Sequence, residues 1–349
     1  MNLNYEQLVA ITSGAARTWE DAEGFHVCRF SEELVRAYFT RNYDFGAEAL
    51  TSSGVVLRFI TDSPTIKLSV VTKCCSTRKY FAVDIVVDDQ YIGSLKNYDL
   101  PAPGSLFSTL DVPLGAFSEM FNLGKGEKNV TVYLPWSVEC VITSLELDDG
   151  ASVIPVKRGK KLLAFGDSIT QGYDALQPRN KYTSRLADYL GYEEINKAIA
   201  GEVFWPELVT LTDEVVPDLI TVAYGTNDFT KRSSTDLLKA CRKFYTNLCE
   251  MYPITPIFAL TPVWRKDHTI PKESYKGFDQ VEKIISQAVC DLPGVTIVKG
   301  WELVPHDEIL YGDLRLHPND EGFKYYFENL LHEINRISID EQQHSNTLK

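Results

Sequence analysis

The chain has 349 residues, 44% of them hydrophobic and 24% charged. That suits a soluble globular protein of two domains at ~100–200 residues each, and excludes a disordered, collagen-like or coiled-coil chain. With 35 Lys and Arg against 48 Asp and Glu the net charge is −13, so nucleic acid is excluded as a partner and anionic membrane surfaces are disfavoured. The opening residues MNLNYEQLVAITSG lack the basic and long apolar regions of a signal peptide, and no run approaches the ~18 apolar residues of a membrane span. A cytoplasmic location is therefore expected. The seven cysteines form an odd set without zinc-ligand spacing, so they are read as reduced, and no metal is expected.

From about residue 54 to residue 147 the pattern is short and strand-like. Segments 54–60, 65–71, 81–87, 90–93, 129–134 and 141–147 are rich in β-branched and aromatic residues, and Asp88-Asp89 reads as a hairpin turn. Segment 97–128 reads as loop. Strands separated by turn signals predict an all-β sandwich of jelly-roll type over 1–156. After residue 156 strands alternate with helices. Strands are expected at 161–165, 194–199, 219–224, 255–260 and 295–298. Helical faces run through Leu237, Cys241, Phe244 and Leu248, through Phe278, Val281 and Ile285, and through Phe323, Phe327, Leu330 and Ile334. Gly191 closes an earlier helix, and Asn319-Asp320-Glu321 opens the last one. This alternation predicts an α/β domain over 157–340, a five-stranded parallel sheet covered on both faces in three layers. The polar segment 341–349 reads as a frayed tail.

Sites in open parallel sheets lie beyond the carboxyl ends of the strands. The residues there are Gly166-Asp167-Ser168-Ile169-Thr170-Gln171-Gly172, Ala200-Gly201, Gly225-Thr226-Asn227-Asp228, Thr261-Pro262-Val263-Trp264-Arg265 and Asp313-Leu314-Arg315-Leu316-His317-Pro318-Asn319. A serine hydroxyl becomes a nucleophile when a neighbouring base takes its proton, and His317 is the histidine placed to do so. Backbone N–H groups of Ser168 and Gly201 and the Asn227 amide are donors for a developing oxyanion. Asp167 and Asp228 read as braces of their turns. Trp264 and Arg265, with Trp205 four residues past Gly201, are expected in the substrate wall.

The GDSIT, AG, GTND and HPN blocks, in this order and each after its own strand, resemble the SGNH (GDSL) hydrolase superfamily over the C-terminal half. The resemblance implies a flavodoxin-like α/β fold. It assigns Ser168 as nucleophile, Gly201 and Asn227 as oxyanion donors and His317 as base, with no cofactor required. A strand-rich leader before such a domain is similar to the arrangement in carbohydrate esterase family two. The superfamily commonly sets its acid three residues before the histidine. Here that position is Leu314, and Asp313 stands four before His317. Asp313, a backbone carbonyl or Asp320 are the alternatives for orienting the imidazole, with Asp313 first as the nearest upstream acid. The expected function is a serine esterase that removes acyl groups, above all acetyl, from a carbohydrate. The partner is then an acetylated oligosaccharide or another small ester, and a homo-oligomer is compatible with the composition. The rivals are a lysophospholipase or thioesterase, and a non-catalytic carbohydrate-binding protein, which has no use for all four residues.

Overall fold

The computed structural model describes residues 1–102, 104–211, 215–272 and 274–347, with side-chain surroundings as far as residue 336. In strand Thr65–Cys74 every second side chain is buried, from Ile66 through Leu68 and Val70 to Thr72, as a sheet with one face on a core requires. Two antiparallel sheets form from such strands. One has the order Thr12–Ser13, Val56–Thr61, Lys128–Tyr133, Ala82–Val87, Gln90–Lys96, with Ile154–Pro155 also paired to Val56–Thr61. The other has the order Arg17–Asp21, Gly24–Cys28, Val138–Leu147, Thr65–Cys74, Ala116–Asn122. Phe59, Val83 and Val132 of the first meet Leu68, Val70 and Ile142 of the second in a shared apolar core. Asp88 and Asp89 both take positive φ, 45° and 65°, and make the tight turn of the expected hairpin.

Segment 97–128 is not all loop: it contains strand Ala116–Asn122. That strand lies at a sheet edge with most side chains exposed, so it shows no clean alternation. The first 53 residues hold three short helices, Tyr5–Ile11, Glu32–Arg41 and Tyr43–Glu48. Phe30 and, from the second helix, Leu34, Val35 and Tyr38 pack with the core of the α/β unit, although they precede the expected boundary at 156.

The parallel sheet has the order Glu193–Asn196, Lys161–Gly166, Leu219–Ala223, Ile257–Leu260, Val295–Val298. Alternate residues supply two faces. Leu163, Phe165, Ile220 and Val222 pack with helices Ser234–Met251 and Asp279–Val289, while Leu162, Leu219 and Phe258 pack with helices Tyr182–Leu190 and Asp320–Thr347. The second strand stops at Asn196, short of the expected 199. There the Asn196 side chain accepts from the Ala198 N–H at 3.1 Å, a local bond that competes with the ladder. The fourth strand starts after Pro256, which has no N–H to donate. Helix Asp320–Thr347 carries through the expected tail as far as Thr347, and residues 348–349 lie outside the described residues. Among the described residues no helix is long and apolar enough to cross a membrane. In the 2-1-3-4-5 order the topological switch falls between the first and third strands of this unit, and a crevice opens there.

Arg29, from the turn after strand Gly24–Cys28, joins the two units. Its guanidinium is fully buried. It donates to the carbonyls of Thr51 (3.1 Å), Glu48 (3.0 Å), Asn196 (3.3 Å) and Ala198, and to the Thr51 hydroxyl (3.0 Å). Burial lowers its pKa to about 10, so it remains charged at neutral pH. Replacing Arg29 with Met leaves several buried carbonyls without donors. Equilibrium urea unfolding should then show a loss of about 3–5 kcal/mol; a loss under about 1 kcal/mol would mean the guanidinium is dispensable.

Candidate active site

Ser168 is the first residue of the short helix Ser168–Gln171, which follows strand Lys161–Gly166 directly. Asp167 caps the helix, its carboxylate accepting from the Ile169 N–H at 3.0 Å, and so braces the turn. Burial raises the Asp167 carboxyl to about 6 against the opposing pull of that N–H, His317 and Arg265. Gly166 is required here, because a Cβ would lie 2.2 Å from the Thr170 hydroxyl. As a first-turn group, the Ser168 N–H has no partner within its own helix, and Ser168 lines a cleft of about 640 Å³.

The Ser168 hydroxyl donates to His317 Nε2 at 2.8 Å, and His317 Nδ1–H donates to Asp313 Oδ2 at 2.8 Å. The carboxylate at Nδ1 fixes the tautomer that leaves Nε2 as the acceptor. The other Asp313 oxygen accepts from the N–H groups of Arg315 (3.0 Å), Leu316 (2.7 Å) and His317 (3.1 Å). Burial works against ionisation of Asp313. The bond and charge of His317, with the Leu316 and His317 N–H groups, outweigh it and hold the carboxyl well below the usual carboxylate range. The extra residue between acid and base is absorbed at Leu314, which adopts φ +53°. That left-handed step closes the loop so that an acid four residues upstream still reaches the ring. Asp320 is engaged elsewhere, accepting from the Leu176 N–H at 3.0 Å, and desolvation of this half-buried group raises its carboxyl to about 6. The third alternative, a backbone carbonyl, does not hold Nδ1, because Asp313 does.

Gly201 and Asn227 face the same cleft. Gly201 has φ +76°, a conformation cheap only for glycine, and its N–H donates to no other group among the described residues. Asn227 donates one amide hydrogen to the Glu202 carbonyl at 3.0 Å, which fixes the group and leaves its second hydrogen available. Ser168, Gly201 and Asn227 thus line one cleft together.

Trp264, Arg265 and Trp205 do not line the cleft. Trp264 is buried and stacked on His306 at 5.7 Å. Arg265 pairs with Asp267 at 2.6 Å and donates to the Thr226 carbonyl at 3.1 Å, bracing the turn behind Asn227. Trp205 lies under the Arg41 guanidinium at 4.4 Å. All three serve packing, because their loops turn the large side chains back toward the core. The wall comes instead from Asn42–Glu48 and from the Cys74–Thr77 stretch, with Tyr173, Lys231 and Arg315.

Asp174 went unnoticed in the sequence. It lies 3.9 Å from His317 Nδ1 and is itself held by Arg78 (2.7 Å) and Tyr80 (2.9 Å). Asp174, Asp313 and His317 bring three ligand atoms within 4.8 Å. Nδ1 is bound to Asp313 and the Asp174 carboxylate is taken by Arg78 and Tyr80, so these ligand atoms already have protein partners. Glu48 lines the floor of the cleft, and burial raises its carboxyl to about 7 despite bonds from Tyr173 and Gln171.

The Leu314 conformation yields a test of the loop closure. Leu314→Pro forces φ to about −65°, so the acid should leave the ring and kcat should fall by up to ~10⁴, the loss expected of a fully engaged triad acid. Leu314→Gly, which adopts φ +53° freely, should keep kcat within about twofold. Equal activity of the two variants would show that the turn does not place Asp313.

Residues 164–325 match the GDSL-like Lipase/Acylhydrolase family model. No curated protein matches the chain. Among solved structures the chain resembles a salicylyl-acyltransferase, SsfX3, of a tetracycline biosynthetic pathway (20% identity, 94% of each chain, TM-score 0.77). It is equally similar to a GDSL-like lipase of Bacteroides ovatus (20% identity, 97% of each chain, TM-score 0.76). A family two carbohydrate esterase of Clostridium thermocellum in complex with cellohexaose is more distant (16% identity, 94% of this chain and 99% of that one, TM-score 0.63). At these identities the likeness is one of fold. The order and spacing of the serine, glycine, asparagine and histidine blocks agree with this match, and residues 164–325 carry a GDSL-like lipase/acylhydrolase family-model domain.

Proposed function

We propose that the cleft is the active site of a serine esterase working through an acyl-enzyme. The observation that carries this reading is the continuous chain from Ser168 through His317 to Asp313, with both links at 2.8 Å. Ser168 Oγ attacks the ester carbonyl while His317 Nε2 takes its proton. The oxyanion is met by the Ser168 and Gly201 N–H groups and the Asn227 amide. Collapse of the tetrahedral species breaks the ester C–O bond, His317 returns the proton to the departing alcohol, and the acyl group stays on Ser168. Water then repeats the sequence with His317 as base, releasing the acid.

For the substrate, the reading is a small acyl group, acetyl first, on a carbohydrate alcohol. Two observations support it. The wall mixes aromatic Tyr43 and Phe45 with polar Asn42, Asp44, Lys231 and Arg315, groups that pair with the apolar faces and hydroxyls of sugars. A structural relative is known with an oligosaccharide bound. Ser168→Ala should abolish hydrolysis of nitrophenyl acetate and leave Tm nearly unchanged, since the hydroxyl faces the cleft. Residual activity within tenfold of wild type refutes the assignment. In a series of nitrophenyl esters kcat/KM should be highest for acetate, and a maximum at long acyl chains would make the enzyme a lipase or thioesterase. Acetate release from a panel of acetylated oligosaccharides tests the alcohol side.

A further inference from the structure

We propose that Glu48 is a positioning residue for this site, holding the oxyanion turn through Gln171 and the ring beneath the base through Tyr173; the inference rests on the acyl-transfer reading above. Glu48 ends the helix Tyr43–Glu48 and is 5% exposed. It lies 120 positions before Ser168 in the chain, outside the matched family segment.

Both carboxylate oxygens are engaged. One accepts from the Tyr173 hydroxyl and the other from Gln171 Nε2 at 2.7 Å. The same Gln171 amide nitrogen reaches the Thr51 hydroxyl (3.3 Å) and the Trp136 carbonyl (3.2 Å), so its carbonyl end is turned to accept from the Ala200 N–H at 2.8 Å. Ala200 is joined directly to Gly201, whose N–H is one of the oxyanion donors. An acceptor at Glu48 therefore decides which end of the Gln171 amide meets the turn. Flipping that amide would set a donor against the Ala200 N–H and displace the peptide beside the donor.

The second arm runs through Tyr173. Its ring lies 5.3 Å from the His317 ring, tilted by 37°, with the Arg78 guanidinium 5.4 Å from its own centroid. Its N–H donates to the Ser168 carbonyl at 2.9 Å. Glu48 cannot drift, because its own carbonyl accepts from Arg29 at 3.0 Å. The N-terminal segment thereby reaches both halves of the machinery with one side chain.

The test is a kinetic cycle with nitrophenyl acetate. Glu48→Gln keeps an acceptor for Tyr173 but sets an NH₂ group against the Gln171 NH₂ group. It should lower kcat by ~10- to ~10²-fold with KM within about twofold, as a small displacement of a transition-state donor does. Gln171→Met should cost a similar factor, and the double variant should lose little more than either single one. A purely structural acid would lower Tm without separating kcat from KM. Glu48→Asp keeps the charge near Arg29 but withdraws it from Gln171, and should show the same separation if the Gln variant does not fold. A kcat within twofold of wild type, a change confined to KM, or factors that multiply in the double variant would each overturn the proposal while leaving Ser168-dependent hydrolysis intact. Absence of Ser168-dependent turnover in the wild type would overturn both readings.

Discussion

The buried guanidinium of Arg29 constrains the layout of the whole molecule. A cation with no access to water must direct its N–H groups at fixed acceptors, and here these are carbonyls from two stretches of chain far apart in sequence, 48–51 and 196–198. The first stretch ends the helix that forms one wall of the cleft. The second leads into Ala200 and Gly201. Holding them together across one charged group ties the end of the helix Tyr43–Glu48 to the segment that leads to Gly201. Further polar links follow the same junction, among them Lys181 to the Ser53 hydroxyl and Trp136 to the Ala175 carbonyl. Chemistry supplied by the parallel sheet and a wall supplied by the N-terminal region thus form one site.

Much of the catalytic geometry was legible because it depends on local order. A strand that ends in a small, sharp turn delivers its next polar residue to the sheet's carboxyl edge, so strand alternation puts Ser168, Gly201 and Asn227 at that edge, while their expected roles come from the resemblance to the SGNH blocks. Asp313 was legible as a residue and ambiguous as a partner, since the offset of one position is settled only by the positive φ of Leu314. Trp264, Arg265 and Trp205 were misplaced for a different reason. Position after a strand says that a residue is near the site, but not whether its loop turns the side chain toward solvent or core. In this chain Trp264 stacks under the loop bearing His306 and Tyr311.

The N-terminal contribution left no comparable signal. Helix Glu32–Arg41 spans only 10 residues, too short for a strong periodic pattern, and strand Ala116–Asn122 lies at an edge where few side chains are buried. Glu48 stands in none of the blocks that the sequence offers. Its meaning arises from partners 123 and 125 positions away, Gln171 and Tyr173, and contacts at that separation exist only once both units have packed. A division of labour follows: substitutions at Asn42–Phe45 in the wall should tune which ester enters, while Glu48 and the blocks after the parallel strands act on what happens to it.

The central claim is that Ser168, activated by His317 and Asp313, carries the acyl group in covalent form. Rapid-quench mass spectrometry of the intact protein mixed with nitrophenyl acetate tests it directly, followed by peptide mapping of any adduct. The account predicts a transient mass increase of a single acetyl group, located on Ser168, appearing with the burst of nitrophenol and decaying at the rate of turnover. An adduct on another residue, or turnover that depends on Ser168 without the acyl group ever leaving its alcohol for the serine, would contradict it.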